Sequence, residues 1–258
     1  MTSNQLKQYS LKWHRFQVRY EEIYTTKFKA ALQAQVNQYL RNGNTQDVTS
    51  APIYDVLTQL YKQVGPLWAQ NTGVHRFKEV EVKARMPMGF SERIIELMRL
   101  YYGVDLLNDA ELMTVESRKY IIQVLSTAAE LGSSFDEIVK ELRTNPNFTA
   151  MRARRIARTE TVTAANGAAI VNAKESGNKM NKIWIAVRDK RTRHSHVEMD
   201  NIQIDINAAF DVSGNPMQQP GVRTLDNGLP TPANQVVNCR CICAFSAKRD
   251  KDGRLIRE

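Results

Sequence analysis

The stretch Lys182-Ile-Trp-Ile-Ala-Val187, followed at once by Asp189-Lys-Arg-Thr-Arg-His-Ser-His196, decides how this chain is divided. Its first half is β-branched and aromatic, as a strand requires, whereas apolar residues before Gly177 recur at helical spacing. Its second half carries two of the four histidines, and the later Asn238-Cys-Arg-Cys241-Ile-Cys243 carries all three cysteines. Between them, 213–232 is rich in turn formers, and 236–245 reads as a closing strand. The expected fold is α+β. A mostly helical N-terminal two-thirds with long helices precedes a small module holding a short antiparallel sheet.

Working back from Gly177, Tyr9, Trp13, Phe16, Tyr20 and Ile23 fall three and four apart and define one face of a helix. That helix should continue through Phe28, Leu32, Val36 and Tyr39 to Asn42-Gly43. The aromatic stripe reads as a packing face, against neighbouring helices or another subunit, rather than as a stacking platform for nucleic acid. Ser50-Ala-Pro-Ile opens a second helix that Gly65-Pro66 should interrupt or kink. A third is expected from Ser91 to Tyr102, stopping at Gly103, and a fourth from Thr114 to Leu131. Ser134-Phe-Asp-Glu137 has the capping-box spacing, so a short helix should run from Phe135 to about Arg143 before Asn145-Pro146. Thr149 is placed to cap the next, which carries Arg152, Arg154, Arg155 and Arg158.

The C-terminal chemistry has two readings. On a strand, Cys239, Cys241 and Cys243 would project from one face, and with His196 and either His194 or Asp200 they could hold zinc. Cys-x-Cys is not the usual Cys-x₂₋₄-Cys spacing, so the preferred reading has no cofactor and a hydrogen-bonded cluster of His196, Asp189, Asp200 and Arg193. With or without metal, His196, Cys239 and Cys241 are expected to meet. His196-Val-Glu198 matches half of a zinc deaminase motif, but the Pro-Cys-x-x-Cys half is missing. A nuclease would need acids or a His-Asn pair set for a metal, and no such set is legible. Arg158 and Glu160 are two apart and cannot face each other on a helix, so each should pair elsewhere, as a structural ion pair to the strand layer.

The ordered set Ile156-Ala-Arg-Thr-Glu-Thr161, Lys182–Val187, Asp189-x-Arg-Thr-Arg-x-Ser-His196, Met199-Asp-Asn201, Phe210 and Asn238-Cys-Arg-Cys241 resembles the phage head morphogenesis domain, the Mu F-like minor head protein family. The resemblance runs over roughly residues 110–246. One departure is Asp200-Asn201, where the family usually has Asp-Gly; Asn tolerates the left-handed backbone such a turn needs. The family helix motif falls on Arg158, Thr159 and Glu160. The candidate structural cluster is Asp189, Arg191, Arg193, His196, Asp200, Asn238, Cys239 and Cys241. The resemblance implies a non-enzymatic, low-copy minor capsid protein, associated with the portal and facing packaged double-stranded DNA inside the head, after assembly in the host cytoplasm. Major capsid or scaffolding protein would be further partners. The implied organisation is a helical region 1–110 making portal or capsid contacts, a head morphogenesis domain 111–247, and a basic mobile tail 248–258.

Composition agrees with that reading. A net charge of +9 and a pI near 9.5 call for a polyanionic neighbour, with Arg152, Arg154 and Arg155 as candidate contacts to DNA. The N-terminus lacks the apolar core of a signal peptide, and no apolar run approaches the ~18 residues that span a bilayer. A soluble protein made in a reducing cytosol is expected, its crowded cysteines unsuited to a disulfide framework. The short segment after Phe245 is expected to hold no fused effector. The runner-up readings are a DNA-processing enzyme, either a metal-dependent nuclease or toxin-type, and a sequence-independent DNA-binding accessory protein.

Overall fold

The structure, a computed structural model, describes residues 1–74 and 90–258. Five long or medium helices come first: α1 (Ser3–Asn42), α2 (Ala51–Asn71), α3 (Phe90–Leu131), α4 (Phe135–Thr144) and α5 (Ala150–Lys174). Then follow β1 (Met180–Ile185), α6 (His194–Glu198), β2 (Gln203–Asp205), β3 (Phe210–Val212), β4 (Asn215–Met217), α7 (Ala233–Val236) and β5 (Ile242–Ala247). The fold is α+β. Its antiparallel sheet has the order β2-β1-β5, and β3 and β4 form a separate hairpin.

Two compact units emerge, and neither is continuous in sequence. One gathers Met1–Arg19, Tyr61–Tyr101 and Arg158–Glu258; the other gathers Tyr20–Leu60 and Tyr102–Ala157. The long helices α1, α2, α3 and α5 each contribute residues to both. Contacts thus divide the chain differently from the sequential boundaries at 110 and 247.

In the second unit, Tyr24, Phe28, Leu32 and Val36 of α1 are fully buried, as are Ile53, Leu57 and Leu60 of α2. The apolar stripe of α1 runs Tyr9, Trp13, Tyr20, Tyr24 and Phe28, with Gln17 also buried, while Ile23 is exposed. The expected three-and-four alternation is thus replaced by a run mostly of fours. At 3.6 residues per turn a spacing of four drifts slowly around the helix, so the buried face precesses along its length. In the first unit, Tyr9, Trp13 and Phe16 close on Trp68, with ring centroids 5.4, 4.8 and 5.0 Å away. The stripe is therefore satisfied there within the chain.

Two punctuation marks in the sequence do not act as expected. α2 runs unbroken through Gly65-Pro66. Val64 and Trp68 are fully buried around the proline, and a Cβ at residue 65 would meet the Met98 side chain and come within 3.2 Å of Ala168 Cβ. Glycine serves close packing here rather than a turn. Gly103 likewise fails to stop α3, since the buried positions Met98, Tyr102, Leu106 and Ala110 continue across it at spacings of four. By contrast, Gly43, Gly132 and Gly177 adopt the left-handed backbone and follow the ends of α1, α3 and α5.

The capping box of α4 forms, with Ser134 Oγ accepting from Glu137 N–H and Glu137 accepting from Ser134 N–H. Thr149 precedes α5, but its hydroxyl donates to the Pro146 carbonyl. The closing strand starts later than expected, at Ile242, because 233–236 coil into α7 and Asn238 turns the chain with φ 61°. The last residues do not trail free. Lys248 N–H donates to Lys179 O, Lys179 N–H to Ile256 O and Ile256 N–H to Lys248 O, closing a hairpin through the Asp250-Lys-Asp-Gly253 turn.

Candidate functional site

Helix α5 builds the site by gripping the irregular chain between α7 and β5. Thr159 Oγ1 accepts from Asn238 N–H at 3.0 Å, and Arg158 donates to Asn238 Oδ1 at 3.4 Å. Two turns along, Asn166 donates to Cys241 O at 3.2 Å and accepts from Cys243 N–H at 2.9 Å. Seven residues separate Thr159 from Asn166, so both lie on one helix face. The grip fixes the path of 238–243. Asn238 occupies the left-handed region, and Cys239 N–H turns back to Val236 O at 3.1 Å. Trp13 Nε1 donates to Arg240 O at 2.8 Å and Tyr9 to Cys243 O at 3.0 Å, tying the first turns of α1 to the same segment.

From the other side, Asp189 accepts from both terminal nitrogens of Arg240, at 2.5 and 2.7 Å. That forked pair holds the Asp189 carboxyl well below the usual carboxylate range, assisted by the Arg191 N–H. Arg193 donates to Val237 O. Asp200 accepts from Ala186 N–H at 2.8 Å and pairs with Arg188, and the next residue, Asn201, takes φ 65° in a turn whose N–H reaches Trp184 O. Asparagine thus serves where glycine would be ordinary.

These contacts converge on His196, which is 1% exposed. Its Nε2 lies 3.0 Å from Gln235 Oε1, and its Nδ1 lies 3.6 Å from Cys239 Sγ and 3.5 Å from Cys241 Sγ. Trp184 covers the ring edge to face at 5.3 Å. The two thiols, buried at 2% exposure each, form a coupled pair. Cys239 is held low by the hydrogen bond from Cys241 and by His196, and Cys241 is pushed up by that same bond and by burial. Among the described residues, His196, Cys239 and Cys241 form the one group of His, Cys, Asp and Glu set close enough to hold a metal, with ligand atoms within 4.8 Å of one another.

The expected cluster therefore resolves into separate contacts. His196 meets the thiols and Gln235; Asp189, Asp200 and Arg193 each engage other partners, and Arg191 is exposed, 3.7 Å from Asp189. His194 is exposed and faces Glu198, so it is no ligand beside His196. Cys243 lies apart, in β5 opposite Trp184, where burial pushes its thiol up to about 12. The three cysteines do not share a face because only Cys243 is in the strand.

Glu160 is buried and accepts from Tyr61 at 2.9 Å and from Arg223 at 2.5 Å. Its partner is thus a loop arginine, not the strand layer. Arg152 is 5% exposed and donates to Met113 O, Ser117 Oγ and Asn147 O beneath the Tyr120 ring. Its guanidinium is thus committed to contacts among the helices and lies off the exposed basic face. Arg154 and Arg155 are exposed. Gln235, Arg240, Asn166, Trp13 and Arg223 are not legible as site residues, because a side chain whose partner is distant in sequence, whether a carbonyl, a carboxylate or a ring nitrogen, leaves no local pattern.

Residues 119–244 match the family model described as Phage Mu protein F like protein. Among curated proteins, the chain is 33% identical over 115 residues to NAD(+)--arginine ADP-ribosyltransferase EFV of Enterococcus faecalis, covering 43% of this chain and 22% of that protein. It is 29% identical over 135 residues to the uncharacterized protein YqbB of Bacillus subtilis, covering 52% of this chain and 43% of that one. The chain thus spans less than half the length of either relative. No solved structure matches.

Proposed function

We propose, from the match of residues 119–244 to the Phage Mu protein F like family model, that the chain is a low-copy minor head protein that associates with the portal and faces packaged DNA inside the phage head. The family match carries this reading. It spans α5, β1 to β4, the start of β5 and the His196 site together, so it rests on the gripped module as a whole rather than on one short motif. The net charge of +9 and the exposed Arg154 and Arg155 suit a polyanionic neighbour bound without sequence choice. No described helix is long and apolar enough to cross a membrane.

The role is structural rather than enzymatic. The thiols and imidazole that would serve as nucleophile and base are buried at 1–2% exposure, out of reach of a macromolecular substrate. The transferase activity in the name of the Enterococcus relative belongs to a protein of which this chain covers 22%, and it is not carried over. Purified chain should show no turnover on DNA, cytidine, adenosine or nicotinamide dinucleotide.

The test is co-expression of the full chain with the portal protein of the same phage, followed by affinity capture and salt-dependent DNA binding. Stable capture supports the reading, and a chain that never associates with portal or assembled heads refutes it. Truncation of α1 would be a poor probe, since Tyr9 and Trp13 hold the C-terminal module together.

A further inference from the structure

We propose that His196, Cys239 and Cys241 bind one thiophilic divalent ion, of the zinc class, which ties α6 to the turn that precedes β5. The first observation is the tautomer. Gln235 Oε1 can only accept, so the 3.0 Å contact places the imidazole proton on Nε2 and leaves the Nδ1 lone pair facing the thiols. A metal-ligating histidine is oriented in just this way, its second nitrogen donating to a carbonyl or carboxylate oxygen.

The second is the convergence. Two sulfurs approach the same Nδ1 at 3.5 and 3.6 Å. One lone pair accepts one hydrogen bond well, so only one of the two thiols can donate to it at a time. A cation between the three atoms uses all of them. Zinc holds sulfur at about 2.3 Å and nitrogen at about 2.0 Å, which sets the sulfur-to-nitrogen edge of its tetrahedron at roughly 3.5 Å.

The third is the frame. The ligands come from two separate segments, both held in place: His196 of α6 is oriented by Gln235, and 238–243 is held by Thr159 and Asn166 of α5. A site so held needs little rearrangement to accept an ion. On binding, both thiols release their protons to solvent, the imidazole enters neutral, and water leaves the ion. Three protein ligands leave one position of a tetrahedron for water.

The inference is independent of portal and DNA binding. Full-length protein purified without chelator should carry about one zinc per chain by elemental analysis, as one four-coordinate site requires. After removal of zinc, titration with Co²⁺ should produce a sulfur-to-cobalt charge-transfer band and visible bands of tetrahedral intensity. Cys239→Ser and Cys241→Ser should abolish the charge-transfer band or halve it, while Cys243→Ala should retain it. Gln235→Leu leaves all three ligands in place and should weaken affinity in a chelator competition by about 10–100-fold, the usual effect of removing an orienting partner. Metal-free protein with no cobalt spectrum would overturn the proposal, and so would metal content that Cys239→Ser leaves unchanged.

Discussion

The helical unit 20–60 and 102–157 and the C-terminal segment 180–247 bury polar side chains for opposite purposes. In the helical unit, Arg152 and Gln35 bond to groups on helices, or at their ends, whose apolar faces already fix their place. Along the C-terminal segment, Thr159 and Asn166 of α5, together with Asp200, hold backbone that is in a turn or at the end of a strand. Remove the polar groups from the helices and a packed face remains. Remove them from the segment and its path is undetermined. The comparison teaches that polar substitutions should be costlier where backbone is irregular than where it is helical.

The sharpest way to break this contrast uses two buried charges. Glu160→Gln should cost about 3 kcal/mol in urea unfolding, since it removes the buried counter-charge of the mostly buried Arg223 guanidinium and leaves it only neutral acceptors such as Tyr61. Arg152→Met, which leaves only neutral acceptors unpaired and keeps apolar volume, should cost about 1–3 kcal/mol. If Arg152→Met proves the worse of the two, the contrast fails.

Next in size is Asn166→Ala. It orphans the Cys241 carbonyl and the Cys243 N–H together, so about 2–3 kcal/mol is expected. The same change at Gln35, which serves Thr49 O and Thr114 Oγ1, should cost about 1 kcal/mol. Hydrogen exchange should locate the Asn166→Ala loss in 238–245.

A smaller effect is a matter of pH. Asp189 is depressed in the folded state by Arg240, so it binds a proton less readily there than in the unfolded chain. Its contribution is present in full above the unfolded carboxylate range near pH 4 and is lost as pH falls towards the folded value. Being a third exposed, the pair should contribute only about 1 kcal/mol. Urea midpoints between pH 2 and 7 should fall less steeply on the acid side for Asp189→Asn.

How much of this was legible follows the same division. The helical burial of Tyr9, Trp13 and Tyr20, and the Ser134–Glu137 box, are local codes that form as read, although the stripe runs mostly in fours and leaves Ile23 exposed. Gly65-Pro66 and Gly103 misled because burial around them outweighs local preference. His196 meets Cys239 and Cys241 as expected, but the expected route, a shared strand face, is replaced by the turn that precedes β5. Gln235, which sets the imidazole, and Asn166, which sets the turn, could not be anticipated. Each acts on a group tens of residues away, and neither amide differs in sequence from an exposed one.

The smallest predicted effect concerns the exposed arginines. Arg154→Ser with Arg155→Ser should change stability by less than about 0.5 kcal/mol. If both contact phosphate, the slope of log affinity for duplex DNA against log salt should drop by about 1.8. An unchanged slope would move the DNA-facing surface elsewhere.

The bonds from Tyr9 to Cys243 and from Trp13 to Arg240 span 234 and 227 residues. During synthesis Trp13 emerges 227 residues ahead of Arg240 and stays without its acceptor until that residue has been made. Contacts this distant in sequence raise the contact order and slow the final step. The aromatic stripe of α1 therefore needs cover while the residues between Trp13 and Arg240 are being made.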